Sequence, residues 1–125
     1  MRLSDFRLYA DHLGDYMRRW ILQTPWGTLR IHNILRSDHD HDLHDHPWDF
    51  TSLLIKGSYT EVDMHGARHW PRWSVVRRKA TDLHRLVLET GPVWTLVVST
   101  KKLRSWGFDV NGRWIPWRVY CGVSR

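Results

Sequence analysis

The sequence has few of the residues that staple or punctuate a chain: one cysteine, Cys121, with five prolines and eight glycines in 125 residues. A lone thiol makes no intramolecular disulfide, and Cys121 is assigned no role. So little proline and glycine excludes collagen-like and low-complexity chains. No apolar run reaches the ~18 residues of a membrane span. The opening residues, MRLSDFRLYA, lack the apolar segment of a signal peptide, so a cytoplasmic location is expected. The length suits one domain over 1–125, and 42% apolar with 26% charged residues is ordinary for a globular protein.

What is abundant is unevenly spread. The chain carries a net charge of +6, yet residues 37–50, SDHDHDLHDHPWDF, hold five aspartates and neither lysine nor arginine. Four of the nine histidines, His39, His41, His44 and His46, fall in the same segment. A block of carboxylate repels itself unless solvent or a cation neutralises it, and carboxylates mixed with imidazoles suit a divalent metal better than a nucleic-acid surface. Nine tryptophans are a heavy load for this length. Most are expected in core and rim packing; Trp48, beside the candidate histidines, is the one singled out as a platform for a ligand.

From about residue 16 onward, short apolar runs alternate with turn signals, and the chain reads as all-β. Strands are expected over 16–23, 28–35, 49–56, 58–65, 73–78, 84–89 and 93–100. Lys56-Gly57 should form a hairpin turn, Thr90-Gly91-Pro92 a second turn, and Asn111-Gly112 a type I′ turn between Phe108 and Trp114. The first dozen residues, with Leu3, Phe6, Leu8 and Leu13, are read as a short helix. So many strands in so short a chain favour a sandwich or barrel, because closure removes exposed edges.

In an extended segment His44-Asp45-His46 presents both imidazoles on one face, close enough to share an ion. His84, opening an apolar strand about forty residues on, is the candidate third ligand, brought in by a neighbouring strand. Three imidazoles with open positions suit Fe(II), Mn(II), Ni(II) or Zn(II). Asp49 is a candidate fourth ligand or nearby base, or else a structural partner for the Trp48 N–H or an arginine. Tyr59 and Glu61 stand on a strand that could line a barrel, where a phenol or carboxylate moves protons. His39 and His41 are read as exposed loop residues or a lid; His12, His32, His65 and His69 as surface or core histidines. Arg68, Arg72, Arg77, Arg78, Lys79 and Arg85, like Lys101, Lys102 and Arg104, interleave with tryptophans, but no helix-turn-helix, zinc-finger or RNA-recognition signature accompanies them. Nucleic acid is therefore disfavoured as a partner, and a small molecule, an anionic one included, is favoured.

Leu43-His-Asp-His-Pro-Trp-Asp-Phe50, Ser52-Leu-Leu-Ile-Lys-Gly57, Tyr59-Thr-Glu61, His84-Arg-Leu86, Gly91-Pro-Val-Trp-Thr-Leu96 and Ser105-Trp-Gly-Phe108 together resemble a small single-domain cupin, over roughly residues 17–115. The resemblance implies a double-stranded β-helix of the jelly-roll kind, with His44, His46 and Gly57 on the family's first motif and His84 the survivor of its second. It also implies that homodimers form. The sequence departs from the pattern where the motif's acid should stand: Phe50 holds that position and Asp49 lies one residue early. Three histidines without the carboxylate are similar to the thiol dioxygenase branch, which implies Fe(II) with sites left for substrate and O₂. Three functions stay open: an Fe(II)-dependent oxygenase, a non-catalytic cupin with a structural metal, and a metal-independent sugar epimerase or isomerase using a histidine and tyrosine pair.

Overall fold

The computed structural model describes residues 2–38 and 42–121. Two antiparallel layers face each other. The first is a six-stranded sheet of β1 (Arg7–Leu13), β2 (Met17–Thr24), β3 (Gly27–Ile34), β10 (Val93–Ser99), β5 (Phe50–Lys56) and β8 (Val75–Arg78), in that spatial order. The second is made of two three-stranded sheets. One runs β12 (Arg113–Pro116), β11 (Gly107–Val110), β4 (Leu43–His44); the other runs β7 (Gly66–Trp70), β6 (Tyr59–Asp63), β9 (Arg85–Leu88). An isolated bridge between His44 and His84 joins them. The result is the jelly roll expected from the sequence.

Alternation along the strands decides what faces inward. On β3, Leu29 and Ile31 are exposed while Arg30 and Ile34 are buried, the sides of the pleat alternating residue by residue. Met17, Ile34, Leu54, Tyr59, Val76, Leu86 and Val93 form one buried cluster between the layers. Asn111 and Gly112 both have positive φ, 53° and 81°, as a type I′ turn requires. Gly57 turns β5 into β6 with φ 84°. No tryptophan is among the buried core residues: Trp20 stacks on Trp94 and Trp106 on Trp117, with centroids 5.6 and 5.7 Å apart, while Trp26 and Trp73 are exposed.

The N-terminus departs from its reading. Only Leu3–Asp5 form a 3₁₀ turn, and residues 7–13 are the edge strand β1, paired along its length with β2. Leu3 and Leu8 stay exposed, so they were no helical face; Asp11 instead grips Arg19 on β2 through two hydrogen bonds of 2.8 and 2.7 Å. The expected strand 58–65 ends at Asp63 and is followed by β7, which carries no sustained apolar alternation and was not anticipated. Helix α1 (Trp117–Tyr120) follows β12. Among the described residues no helix is long and apolar enough to cross a membrane.

Candidate metal centre

Asp45 shows how the H-x-H segment is aimed. Its buried carboxylate accepts hydrogen bonds from Gly107 N–H at 2.7 Å, Trp114 Nε1 at 2.9 Å and Arg104 Nη1 at 2.6 Å. That grip holds the segment against β11 and β12, and in extended backbone the flanking His44 and His46 then point together to the opposite side. Gly107 permits the close approach: a Cβ there would lie 2.2 Å from the Ile115 carbonyl oxygen. His84 arrives from the other half of the layer, where it and His44 exchange both backbone hydrogen bonds at 2.9 Å.

The three rings converge. Centroids of His44 and His46 are 5.2 Å apart, His44 and His84 5.0 Å, and His46 and His84 4.7 Å. One donor nitrogen from each lies within 4.8 Å of the others. Behind His84, Nδ1 lies 2.6 Å from Glu61 Oε2, which leaves Nε2 for an ion. Backing of a metal-binding imidazole by a carboxylate fixes its tautomer and orientation. Glu61 is itself fixed: Arg78 bonds both of its oxygens and Trp70 Nε1 donates to Oε1 at 3.2 Å. Burial pushes this carboxyl up, but the bonds from His84 and Arg78 outweigh it and hold it down at about 2.

The donors suit a cation. Burial, reinforced by the neighbouring His84, lowers His44 to about 4 and carries His46 well below the ordinary imidazole range. A neutral ring with a free lone pair is what ligation requires. His46 Nδ1 is buried without a hydrogen-bond partner, an orphaned polar atom that a divalent ion bound at that nitrogen would satisfy.

The histidines open into a cavity of about 380 Å³. Tyr16, Met17, Ile34, Leu86 and Val97 give it apolar walls, with Asp38 and Arg36 as polar points. Phe50 packs on His46 at 4.6 Å, and Phe108 and Trp106 stand edge-on to His44. Helix α1 packs behind Phe108: Tyr120 stacks on its ring at 3.8 Å and donates its hydroxyl to Asp42 at 2.9 Å. Cys121 borders the cavity as well.

Of the residues expected at the site, His44, His46, His84 and Tyr59 come together around the cavity. Asp49 does not, and its reading as a ligand or base at the ion is corrected. Phe50 faces the imidazoles, so its neighbour points to the other side of the strand, where Asp49 Oδ1 accepts from Ala80 N–H at 2.7 Å. Trp48 borders the cavity, but one face of its ring is covered by the Arg30 guanidinium at 3.7 Å. His32 also lines the cavity, while His69 is a surface partner of Glu89. His39 and His41 lie outside the described residues. Asp45, Arg78 and Arg104 were missed as supports; the acid between two histidines was the signal for the first.

No protein-family model matches the sequence, and no curated protein matches it. Solved structures do. A cupin-2 domain, Rru_A2000 from Rhodospirillum rubrum, is 14% identical and superimposes with a TM-score of 0.64 over 88% of this chain and 79% of that one. KdgF from Halomonas sp. is 15% identical, with a TM-score of 0.59 over 75% of this chain and 89% of that one. The Fe(II) form of HppE is 12% identical, with a TM-score of 0.58 over 79% of this chain; the match spans only 58% of the HppE chain. At these identities the likeness shows the fold, and the fold is that of the cupins.

Proposed function

We propose that this chain is a metal-dependent cupin enzyme that acts on a small molecule, with one divalent ion held by His44, His46 and His84. The observation that carries the reading is the convergence of three imidazoles, His84 buried and His44 and His46 half-buried, one backed by Glu61 and one with an orphaned nitrogen, on a cavity of substrate size. Fe(II) is the favoured ion, with Mn(II), Ni(II) and Zn(II) as alternatives. Iron, when bound, supplies Lewis acidity and one-electron chemistry toward O₂ at its open positions. The chain's own residues do the rest. Glu61 holds His84 in one tautomer, and Met17, Ile34 and Phe108 exclude water around the substrate. Tyr59 borders the cavity with a phenol that burial raises above its ordinary range, so it stays protonated and serves as a donor to a bound oxygen atom.

Elemental analysis of tag-free protein tests this, with His44→Ala and His84→Ala alongside. Near-stoichiometric metal in the parent that is lost from both variants is expected. Metal retained in both would remove the site. Chelation then separates the functions: loss of turnover supports the oxygenase, whereas turnover that survives full metal removal marks the epimerase-like reading.

A further inference from the structure

A second cavity, of about 760 Å³, lies on the other side of Trp48 from the histidines and shares Trp48 and Arg19 with the first. Arg19, Arg30, Lys101 and Lys102 line it, with Asp5 the one acidic residue on its wall. Two of these charges are already engaged: Arg19 is bound by Asp11 through both oxygens, and Asp5 accepts from the backbone of Arg2.

Arg30 is different. It is only 5% exposed, its guanidinium lies 3.7 Å over the Trp48 ring, and Nε donates to Thr28 Oγ1 at 3.1 Å. The ion pairs among the described residues leave it out. Burial and the charge of Arg19 lower its pKa, but only to about 10, so it remains cationic. No carboxylate bonds this guanidinium among the described residues: Asp11 acts on it only through space, with both oxygens already taken by Arg19, and a buried charge so weakly balanced is costly. The terminal nitrogens of a guanidinium form a planar fork that fits two oxygens of one anion. Trp48 sets the plane of that fork, and Lys101 and Lys102 add cationic charge at the wall.

We propose that this second cavity is an anion-binding site in which Arg30 anchors the carboxylate or phosphate group of a small molecule. The proposal stands apart from the metal reading, because none of the three ligand histidines lines this cavity.

Calorimetric titration with inorganic phosphate, and separately with succinate, tests it. Titrations are run on protein stripped of metal with EDTA and then dialysed free of it, at constant ionic strength against chloride, so that neither metal nor chelator competes for the anion. Saturable binding of phosphate, succinate or both is expected, and the tighter of the two identifies the acid class. Arg30→Gln should weaken that binding at least about tenfold, as loss of a charge-assisted pair does, and Arg30→Lys, which keeps the charge without the fork, by a similar amount. Lys101→Ala with Lys102→Ala should weaken it a few-fold, and His44→Ala should leave it unchanged. Phosphate and succinate both behaving as chloride does would overturn the proposal. So would undiminished affinity in whichever Arg30 variant folds, or loss of binding in His44→Ala.

Discussion

Arg30 and His32 leave β3 from the same face, two residues apart, and burial acts on both. Burial, helped by the charges of Arg30 and Arg19, lowers His32 to about 3, so its ring is neutral at ordinary pH. Burial and Arg19 lower Arg30 as well, but to about 10, and it keeps its proton. The starting pKa decides the outcome, because a similar environment that discharges an imidazole leaves a guanidinium charged. The barrel thereby holds two chambers of opposite character. One offers neutral nitrogen donors among aromatic rings; the other offers a fixed cation. Trp48, faced by Arg30, stands between them.

A third cation completes the contrast. Arg78 meets the buried Glu61, whereas Arg30 meets no carboxylate among the described residues. Removing Glu61 should therefore be the most damaging change. Glu61→Ala strands Arg78 and frees His84, with an expected loss of about 3–5 kcal/mol in urea unfolding and roughly tenfold in metal affinity. Arg30→Gln should shift the same unfolding curve by no more than about 1 kcal/mol, since it leaves no buried charge unpaired. Equal losses in the two variants would erase the distinction.

Acid should expose the discharged ring. The His32 pKa falls from 6.5 to about 3 on folding, so its contribution is complete above about pH 6.5 and declines as pH falls toward 3. Between pH 7 and 4 the metal-free parent should lose about 3 kcal/mol more stability than His32→Leu. Parallel pH profiles would show that the ring titrates normally. A small effect is expected at Asp49 too: Asp49→Asn should cost about 1 kcal/mol through the bond to Ala80 N–H and leave metal content intact. Metal lost from that variant would return Asp49 to the site.

The parts of the site written within a few consecutive residues were legible. His44 and His46 are paired by the period of an extended chain, and Phe50 in place of an acid already put Asp49 on the wrong side. Glu61 could be seen to line a strand, but not to back His84. That contact depends on the register of β6 against β9: Glu61 lies directly opposite Leu86, which makes His84 its diagonal neighbour. Arg104 was equally hidden, since it reaches Asp45 across 59 positions of sequence. Arg30 gave no signal because what sets it apart, burial over the Trp48 ring with no carboxylate bonded to it among the described residues, exists only in the folded chain. The edge strand β1 was misread because seven residues with scattered leucines fit a helix about as well as a strand until β2 supplies the pairing.

The bridge between His44 and His84 carries a consequence for the order of assembly. These residues are about forty positions apart, and the strands between them are divided between both layers, so the seam closes only after much of the barrel has been laid down. An ion shared across that seam would act as a removable cross-link. By the chain-entropy relation for cross-links, a permanent tie closing a loop of about forty residues is worth about 4 kcal/mol, taken from the freedom of the unfolded chain. If such a clasp engages after the transition state, it would retard the opening of the finished barrel far more than it hastens its formation.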